Sequence, residues 1–361
     1  MLQNYFFELL QIALGNRQQL SRLLKEGEWG DVYTMAQEQA LVGVAFRGVE
    51  LLPKEQRPPK MILLQWYVNA ERIKQTNEEL YHKTVAISQK FRNDGFPNAI
   101  LKGQGVAKYY QIVKLDKYRM SGDVDIWLNG SRKDIISYVR KHMNDCKIVY
   151  HHVDFPNIDG VKVEVHFTPS WMYCYFTNRK LQRFFDNNRR FLLENDCNCS
   201  DIPTVDVAFN RVFILVHIYR HLFHEGIGLR QLMDYYFVLM QGFSEEECAE
   251  TMRLLTSLKM DRFVSAIMWI LQNVFGMSKR YMIAPVDEIE GKLLLNEIMH
   301  SGNMGHYDTT LLRKSDESSL SWGLRKLKRI FRFARNYPSE VLWSPLFKIW
   351  HYFWRKLCYN T

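Results

Sequence analysis

The sequence predicts an α+β fold, a small mixed-sheet core flanked by N- and C-terminal helical regions. Three observations carry this. Apolar residues recur at helical spacing on both sides of the chain's middle, short apolar runs stand at 99–101 and 124–128, and residues 161–167 alternate with period two. Over 361 residues the chain can bury a substantial core, and 47% hydrophobic against 24% charged residues excludes a disordered chain. No internal repeat or low-complexity linker divides it. Changes of periodicity set the boundaries: a helical region at 1–95, an α/β core at 96–204, a helical lobe at 205–300 and a basic amphipathic tail at 301–361.

Leu9, Ile12, Ala13 and Leu20 predict helix within residues 1–50, and Leu63, Trp66, Tyr67, Ile73 and Leu80 predict it over 60–93, with Pro53, Pro58 and Pro59 between. At Gly95-Phe96-Pro97 the pattern changes to a short strand, Ala99-Ile100-Leu101. That strand runs into the loop Lys102-Gly103-Gln104-Gly105 and a helix from Val106. A second strand covers Val124–Leu128, and a helix follows around Arg132–Met143. In Val161-Lys162-Val163-Glu164-Val165-His166-Phe167 the valines face a core, so Lys162, Glu164 and His166 share the other face. From Val205 to about Leu271 the chain is helical again, interrupted at Gly226-Ile227-Gly228.

Six scattered cysteines (Cys146, Cys174, Cys197, Cys199, Cys248, Cys358) contain one close pair without the second pair a zinc site needs, and read as reduced thiols. Met1–Leu14 lacks a cationic leader, and no run approaches about 18 apolar residues, so the expected location is cytoplasmic. The net charge of +9 is concentrated: residues 321–361 hold nine basic residues against Glu340 alone, leaving 1–320 nearly neutral. On this reading the catalytic and basic-surface questions separate along the chain.

In Gly122-Asp123-Val124-Asp125-Ile126 a two-residue separation on extended backbone points both carboxylates to one side while Val124 and Ile126 enter the core. Crowded carboxylates repel unless a cation sits between them, and Mg²⁺ (or Mn²⁺) takes such hard oxygen ligands. Glu164, from another strand, is the candidate third ligand. Gly103 and Gly105 would let backbone amides approach a triphosphate, helped by the amino end of the following helix, and Lys102 would add positive charge.

The run Ile100-Leu101-Lys102-Gly103, then Tyr109-Tyr110, then Arg119-Met120-Ser121-Gly122-Asp123-Val124-Asp125, resembles an uncharacterised bacterial family of the nucleotidyltransferase (DNA polymerase β-like) superfamily. The resemblance implies a nucleotidyltransferase core in which Asp123 and Asp125 take the places of the paired metal ligands and Glu164 that of the third acid. It continues into the helical lobe, where His217, His221, Leu229 and Asp234 match an H-x3-H and L-x4-D pattern. It covers residues 10–240, most specifically 100–128. One departure stands out: the superfamily usually reads G-[GS] in its first loop, whereas Gln104 follows Gly103 here. The expected nucleotide-binding residues are Lys102, Gly103, Gln104, Gly105, Arg119, Gly122, His166, His217 and Asp234, with an NTP, ATP foremost, as substrate.

Several of these have two roles open. Arg119 either touches a phosphate or organises its loop through a bidentate pair with a carboxylate. His166 either orients a ligand or is an ordinary polar strand residue. His217, His221 and His224 share one helix face, but the H-E-x-x-H glutamate is absent, so packing beside a nucleotide cleft is favoured over metal binding.

From Leu320 to Arg335, apolar Leu320, Leu324, Leu327, Phe331 and Ala334 alternate with Arg325, Lys328, Arg329, Arg332 and Arg335 as a basic amphipathic helix, followed by the aromatic stretch Trp343, Phe347, Trp350, Phe353 and Trp354. Packing on the body, contact with an anionic membrane surface and binding of RNA or another polyanion all fit. Two functions follow. One is a Mg-dependent enzyme transferring NMP from an NTP to a hydroxyl-bearing acceptor (protein, RNA or small molecule). The other is a catalytically inactive protein of the same fold that binds RNA, membrane or a protein partner.

Overall fold

A computed structural model describes residues 2–190, 201–308 and 317–359; Cys197, Cys199 and the side chain of Leu320 lie outside the described residues. The N-terminal region is helical as predicted, in α1 (Leu2–Ala13), α2 (Glu26–Glu38), α3 (Val42–Leu51) and α4 (Lys60–Asn93). At about 1.5 Å per residue α4 is roughly 50 Å long, and its two halves serve different cores. Trp66 and Ala70 join the larger core with α1–α3, while Leu80, Ile87 and Phe91 cover the sheet.

The sheet has four strands, β1 (Asn98–Leu101), β2 (Val124–Leu128), β3 (His152–Ile158) and β4 (Val161–His166), in the order β1-β2-β4-β3. β2 runs parallel to β4, and the outer strands are antiparallel to their neighbours, so the sheet is mixed. Period two divides its residues cleanly. Val124, Ile126, Leu128, Val163 and Val165 pack against α4 and α6 (Arg132–His142), whereas Ala99, Leu101 and Trp127 join the larger core on the opposite side. Ser131 starts α6 by accepting a hydrogen bond from Asp134 N at 3.2 Å.

One predicted boundary is corrected, and one strand is added. Lys102-Gly103-Gln104-Gly105 is not a loop ahead of a helix: α5 spans Lys102–Ala107, kinked at Gly103, and continues as 3-10 turns through Val113. The strand β3 escaped prediction because Pro156 interrupts its alternation. Proline is tolerated there because β3 is an edge strand and its register shifts between Phe155 and Ile158.

The chain then passes through α7 (Tyr175–Asn188) into the lobe: α8 (Val207–His224), α9 (Leu229–Leu239), α10 (Glu245–Ser257), α11 (Asp261–Phe275) and α12 (Glu288–Ser301). Asp206 caps α8 by accepting from Phe209 N at 2.6 Å. The predicted interruption at 226–228 is the α8–α9 turn.

The basic helix is shorter than predicted, α13 (Ser319–Phe331), and its sides are rearranged: Arg329 is buried while Leu324 and Phe331 are exposed. Burial of Arg329 is compensated by the Leu222 carbonyl at 3.0 Å and by Glu297 at 2.8 Å. The aromatic stretch forms α14 (Pro338–Tyr359), whose Glu340, Val341 and Ser344 are buried. No helix among the described residues is long and apolar enough to cross a membrane, and Cys146, Cys174, Cys248 and Cys358 are free thiols.

Candidate active site

The register of the parallel pair sets Asp125 of β2 directly opposite Glu164 of β4, and Trp127 opposite His166. β3 extends both rows, with Asp154 opposite Glu164 and His152 opposite His166. Since Val124, Ile126, Val163 and Val165 occupy one face, the acids and imidazoles stand on the other, toward the helical lobe. Asp123 lies immediately before β2, and it lines the same cavities as Asp125.

Buried charge here is balanced closely. Lys102 Nζ lies 2.9 Å from Asp125 Oδ2, and His166 Nε2 lies 3.0 Å from Asp125 Oδ1. Burial would raise the Asp125 carboxyl, but Lys102 and His166 outweigh it and hold the group well below the usual carboxylate range. Burial likewise opposes charge on Lys102, yet Asp125, Asp123 and Glu164 together raise its pKa. Glu164 is ion-paired to Lys162 and lies 3.5 Å from His152 Nδ1. His152 in turn approaches Asp154 at 3.4 Å.

The backbone beneath these charges is strained. Lys102 has φ +34° and Gly103 φ +44°, and a left-handed non-glycine residue costs on the order of 1–3 kcal/mol. A Cβ at Gly105 would stand 2.4 Å from the carbonyl oxygen of Ile100, so close approach of α5 to β1 requires glycine. Gly122 differs: a Cβ there meets nothing within 4 Å. Gln104 is buried, and its Nε2 reaches Ser121 Oγ at 3.4 Å.

Arg119 forms a bidentate pair with Asp234 of α9, donating from Nε (2.7 Å) and Nη2 (2.8 Å), and Tyr110 donates to the same carboxylate at 2.6 Å. Of the two roles open to Arg119, this is the loop-organising one. Asn77 of α4 secures the same loop by donating to the carbonyls of Lys117 and Arg119.

A family model described as an uncharacterised nucleotidyltransferase matches residues 25–276, from just before α2 to the end of α11. The chain belongs to that family. No curated protein matches it. The matched span contains every expected site residue, while α12–α14 lie outside it.

Among the described residues, the side chains close enough to share a metal ion are Asp125, Glu164 and His166, or His152, Asp154 and Glu164, or His151, His152 and His166. The carboxylate oxygens of Asp125 and Glu164 suit Mg²⁺ or Mn²⁺, whereas the imidazoles suit softer transition-metal ions, so it is the acids of these sets that fit the expected ion. Asp123 belongs to none of these sets, and His152 and Asp154 were missed in the sequence. The short alternation His152-Val153-Asp154-Phe155 is the signal that would have found them.

His217 and His221 stack edge to face, with ring centroids 4.3 Å apart, and His221 pairs with Glu225 at 3.2 Å. Burial, then the neighbouring His221 and Lys102, drives the His217 pKa well below its ordinary value. Neither histidine belongs to a metal-capable set among the described residues.

A cavity of about 460 Å³ contains Asp123, Asp125, Glu164, His166 and His217. A smaller one, about 60 Å³, adjoins it and adds Gly103, Arg119, Gly122 and Asp234. The larger cavity is also lined by Phe347, Lys348, His351 and Arg355 of α14. The expected separation of basic tail from acidic site therefore fails: α14 folds back over the sheet and brings its cations to the acids.

Proposed function

We propose that the chain transfers a nucleoside monophosphate from an NTP, ATP foremost, to a hydroxyl-bearing acceptor, as a member of the DNA polymerase β-like superfamily. The observation that carries this reading is the register pairing of Asp125 with Glu164, with Asp123 at the entrance to the same strand. These three acids would hold Mg²⁺ or Mn²⁺. When bound, such an ion lowers the pKa of an attacking hydroxyl and neutralises charge developing on the α-phosphoryl group and pyrophosphate.

The chain's own contribution is positioning and electrostatics. The acceptor hydroxyl oxygen bonds to the α-phosphorus and its proton passes to solvent, while the bond to the α,β-bridging oxygen breaks and pyrophosphate leaves with that electron pair. Lys102, already paired with Asp125, is the cation that would pass to a phosphate oxygen once a metal ion takes up that carboxylate. His166 steadies Asp125, and the Arg119–Asp234 pair fixes the segment that delivers Asp123. The acceptor class, whether protein side chain, RNA end or small molecule, is reached through the open side of the larger cavity.

Labelled ATP, GTP, CTP and UTP with purified full-length protein test the reading. Mg²⁺ or Mn²⁺ is expected to strengthen binding at least tenfold, and that gain is expected to be lost in Asp123→Ala plus Asp125→Ala. Binding that a divalent ion does not strengthen, or an equal gain in that variant, overturns it. One observation favours a second reading, an inactive binding protein: Lys102 already neutralises Asp125 without a metal ion. That reading predicts partner binding indifferent to both aspartates.

A further inference from the structure

We infer that Lys348 and Arg355 of α14, with Arg220 of α8, form a subsite for a phosphate group in the cavity that holds the acids. All three line that cavity, together with Trp171 and His351. Among the described residues neither Lys348 nor Arg355 has a carboxylate within ion-pairing distance. Arg220 is ion-paired to Glu340, which also accepts from the backbone N–H groups of Tyr173 (2.8 Å) and Cys174 (3.1 Å). The single negative charge of Glu340 is matched by Arg220, so it does not also balance Lys348 or Arg355. The Arg220 guanidinium lies over the Tyr173 ring at 3.7 Å and the Trp171 ring at 4.6 Å, which holds it rigidly.

Its Nε and Nη2 remain buried without hydrogen-bond partners, as do Trp171 Nε1, His351 Nε2 and Arg355 Nε. An unsatisfied buried polar group costs about 1–3 kcal/mol, so five around one cavity, beside a lysine that lacks a counter-ion, is an arrangement that an anion would relieve. Burial and the charge of Arg220 bring the Lys348 pKa down to about 8, as expected of a cation without its anion. A tetrahedral oxyanion offers several acceptors to such converging donors, and arginine forks suit it geometrically.

The phosphate has two sources, the NTP's own β- and γ-phosphates or a phosphate on the acceptor. As a substrate subsite it rests on the transfer reading; as an oxyanion site it does not. Calorimetric titration of the full chain with pyrophosphate and with inorganic phosphate, in EDTA, is the test. Wild type is expected to bind, Lys348→Gln and Arg355→Gln each to weaken binding at least fivefold, and Lys348→Arg to restore it. Asp123→Ala plus Asp125→Ala is expected to bind at least as well, so loss of metal–nucleotide binding there reports on the transfer reading alone. Saturating ATP with Mg²⁺ that displaces phosphate assigns the site to the triphosphate, and co-binding assigns it to the acceptor. No binding by wild type, or equal binding by folded Lys348→Gln, overturns the proposal.

An independent observation concerns the other face of α14. Leu342, Leu346, Ile349, Phe353 and Leu357, spaced four, three, four and four apart, form one stripe, and each is more than half exposed. Val341, Phe347, Lys348, Trp354 and Arg355 of this helix turn inward, and the stripe is left outward. We propose that this stripe docks on an anionic membrane surface. Exposed Trp350 and Tyr352 are residues that favour the bilayer interface, and exposed Lys328, Arg332, Arg335 and Lys356 supply complementary charge. A second copy is a poorer occupant, because each brings nine basic residues against one acid in 321–361. Co-sedimentation with phosphatidylglycerol–phosphatidylcholine vesicles should show binding that falls at least tenfold in Leu346→Ser plus Ile349→Ser plus Phe353→Ser and on pure phosphatidylcholine. Equal partitioning by that variant, or a stripe-dependent dimer that ignores vesicles, overturns it.

Discussion

Asp125 and Glu164, thirty-nine positions apart in sequence, are direct register partners on adjacent parallel strands. Parallel pairing keeps both side chains on the same face, and among the described residues the ammonium in contact with Asp125 is that of Lys102 at 2.9 Å, from a residue at φ +34°. Strain in the lysine backbone thus accompanies charge balance at the acids. Glu164→Gln removes one carboxylate without altering size. It is expected to lower metal-dependent nucleotide affinity at least tenfold while leaving the melting temperature nearly unchanged, measured by calorimetry and thermal melts. Loss of both together would mean a structural role instead.

Lys102→Met makes a sharper distinction. Removing the ammonium leaves Asp125 buried with His166 alone, at a cost of about 3–5 kcal/mol in metal-free protein. A divalent ion then restores the missing charge, so Mn²⁺ should raise the variant's melting temperature by more than it raises that of wild type. Thermal melts with and without Mn²⁺ decide it, and equal increments would remove Asp125 from the metal site.

Much of this was legible because local signals were strong. β2 reads as a short apolar run entered by two acids and β4 alternates with period two, and their acids were found with them. His152 and Asp154 were hidden by Pro156, a residue tolerated only because β3 lies at the sheet edge. The Arg119–Asp234 pair spans 115 positions, and no periodicity links its partners; only the family pattern singled out both. Lys348 and Arg355 were read as tail charge because sequence separation says nothing about a helix that folds back. The same burial of Glu340, Val341 and Arg329 means that deleting 321–361 would open the core, so the tail is better tested by point substitutions.

Arg119→Met should be among the more destabilising single changes. It leaves the Asp234 carboxylate buried with Tyr110, at about 3–5 kcal/mol. Burial would raise the Asp234 pKa, but Arg119 outweighs it and the folded value lies below the ordinary one. The folded state therefore binds its proton less readily than the unfolded state. The pair's contribution is complete above about pH 4, the unfolded carboxylate value, and is lost as pH falls through the folded one. Urea melts of wild type and variant should differ most at neutral pH and converge in acid.

Gly105→Ala and Gly122→Ala separate packing from ligand contact. At 105 the new Cβ faces a backbone carbonyl at 2.4 Å that cannot yield without moving β1, so a loss of about 1–3 kcal/mol is expected. At 122 nothing lies within 4 Å, and stability should stay within about 0.5 kcal/mol. Weakened nucleotide binding in a fully stable Gly122→Ala would place the nucleotide against that backbone, whereas unchanged binding would remove Gly122 from the site.

Lys348 ties stability to binding with opposite signs. Its folded pKa, down to about 8, lies below the unfolded value of about 10.4, so between these values the unfolded chain holds a proton the folded one has shed. Stability from this group consequently rises with pH across that window, and the penalty for charging it is fully present below about pH 8. Lys348→Met removes the penalty and should be more stable than wild type at pH 7 by about 1–2 kcal/mol, an advantage that fades by about pH 10.5. Saturating pyrophosphate should reverse the ranking at pH 7, because only wild type gains the ion pair. Thermal melts at pH 7 and pH 10, each with and without pyrophosphate, give four values. A variant less stable than wild type in all four would show that Lys348 supports the fold instead of holding an anion.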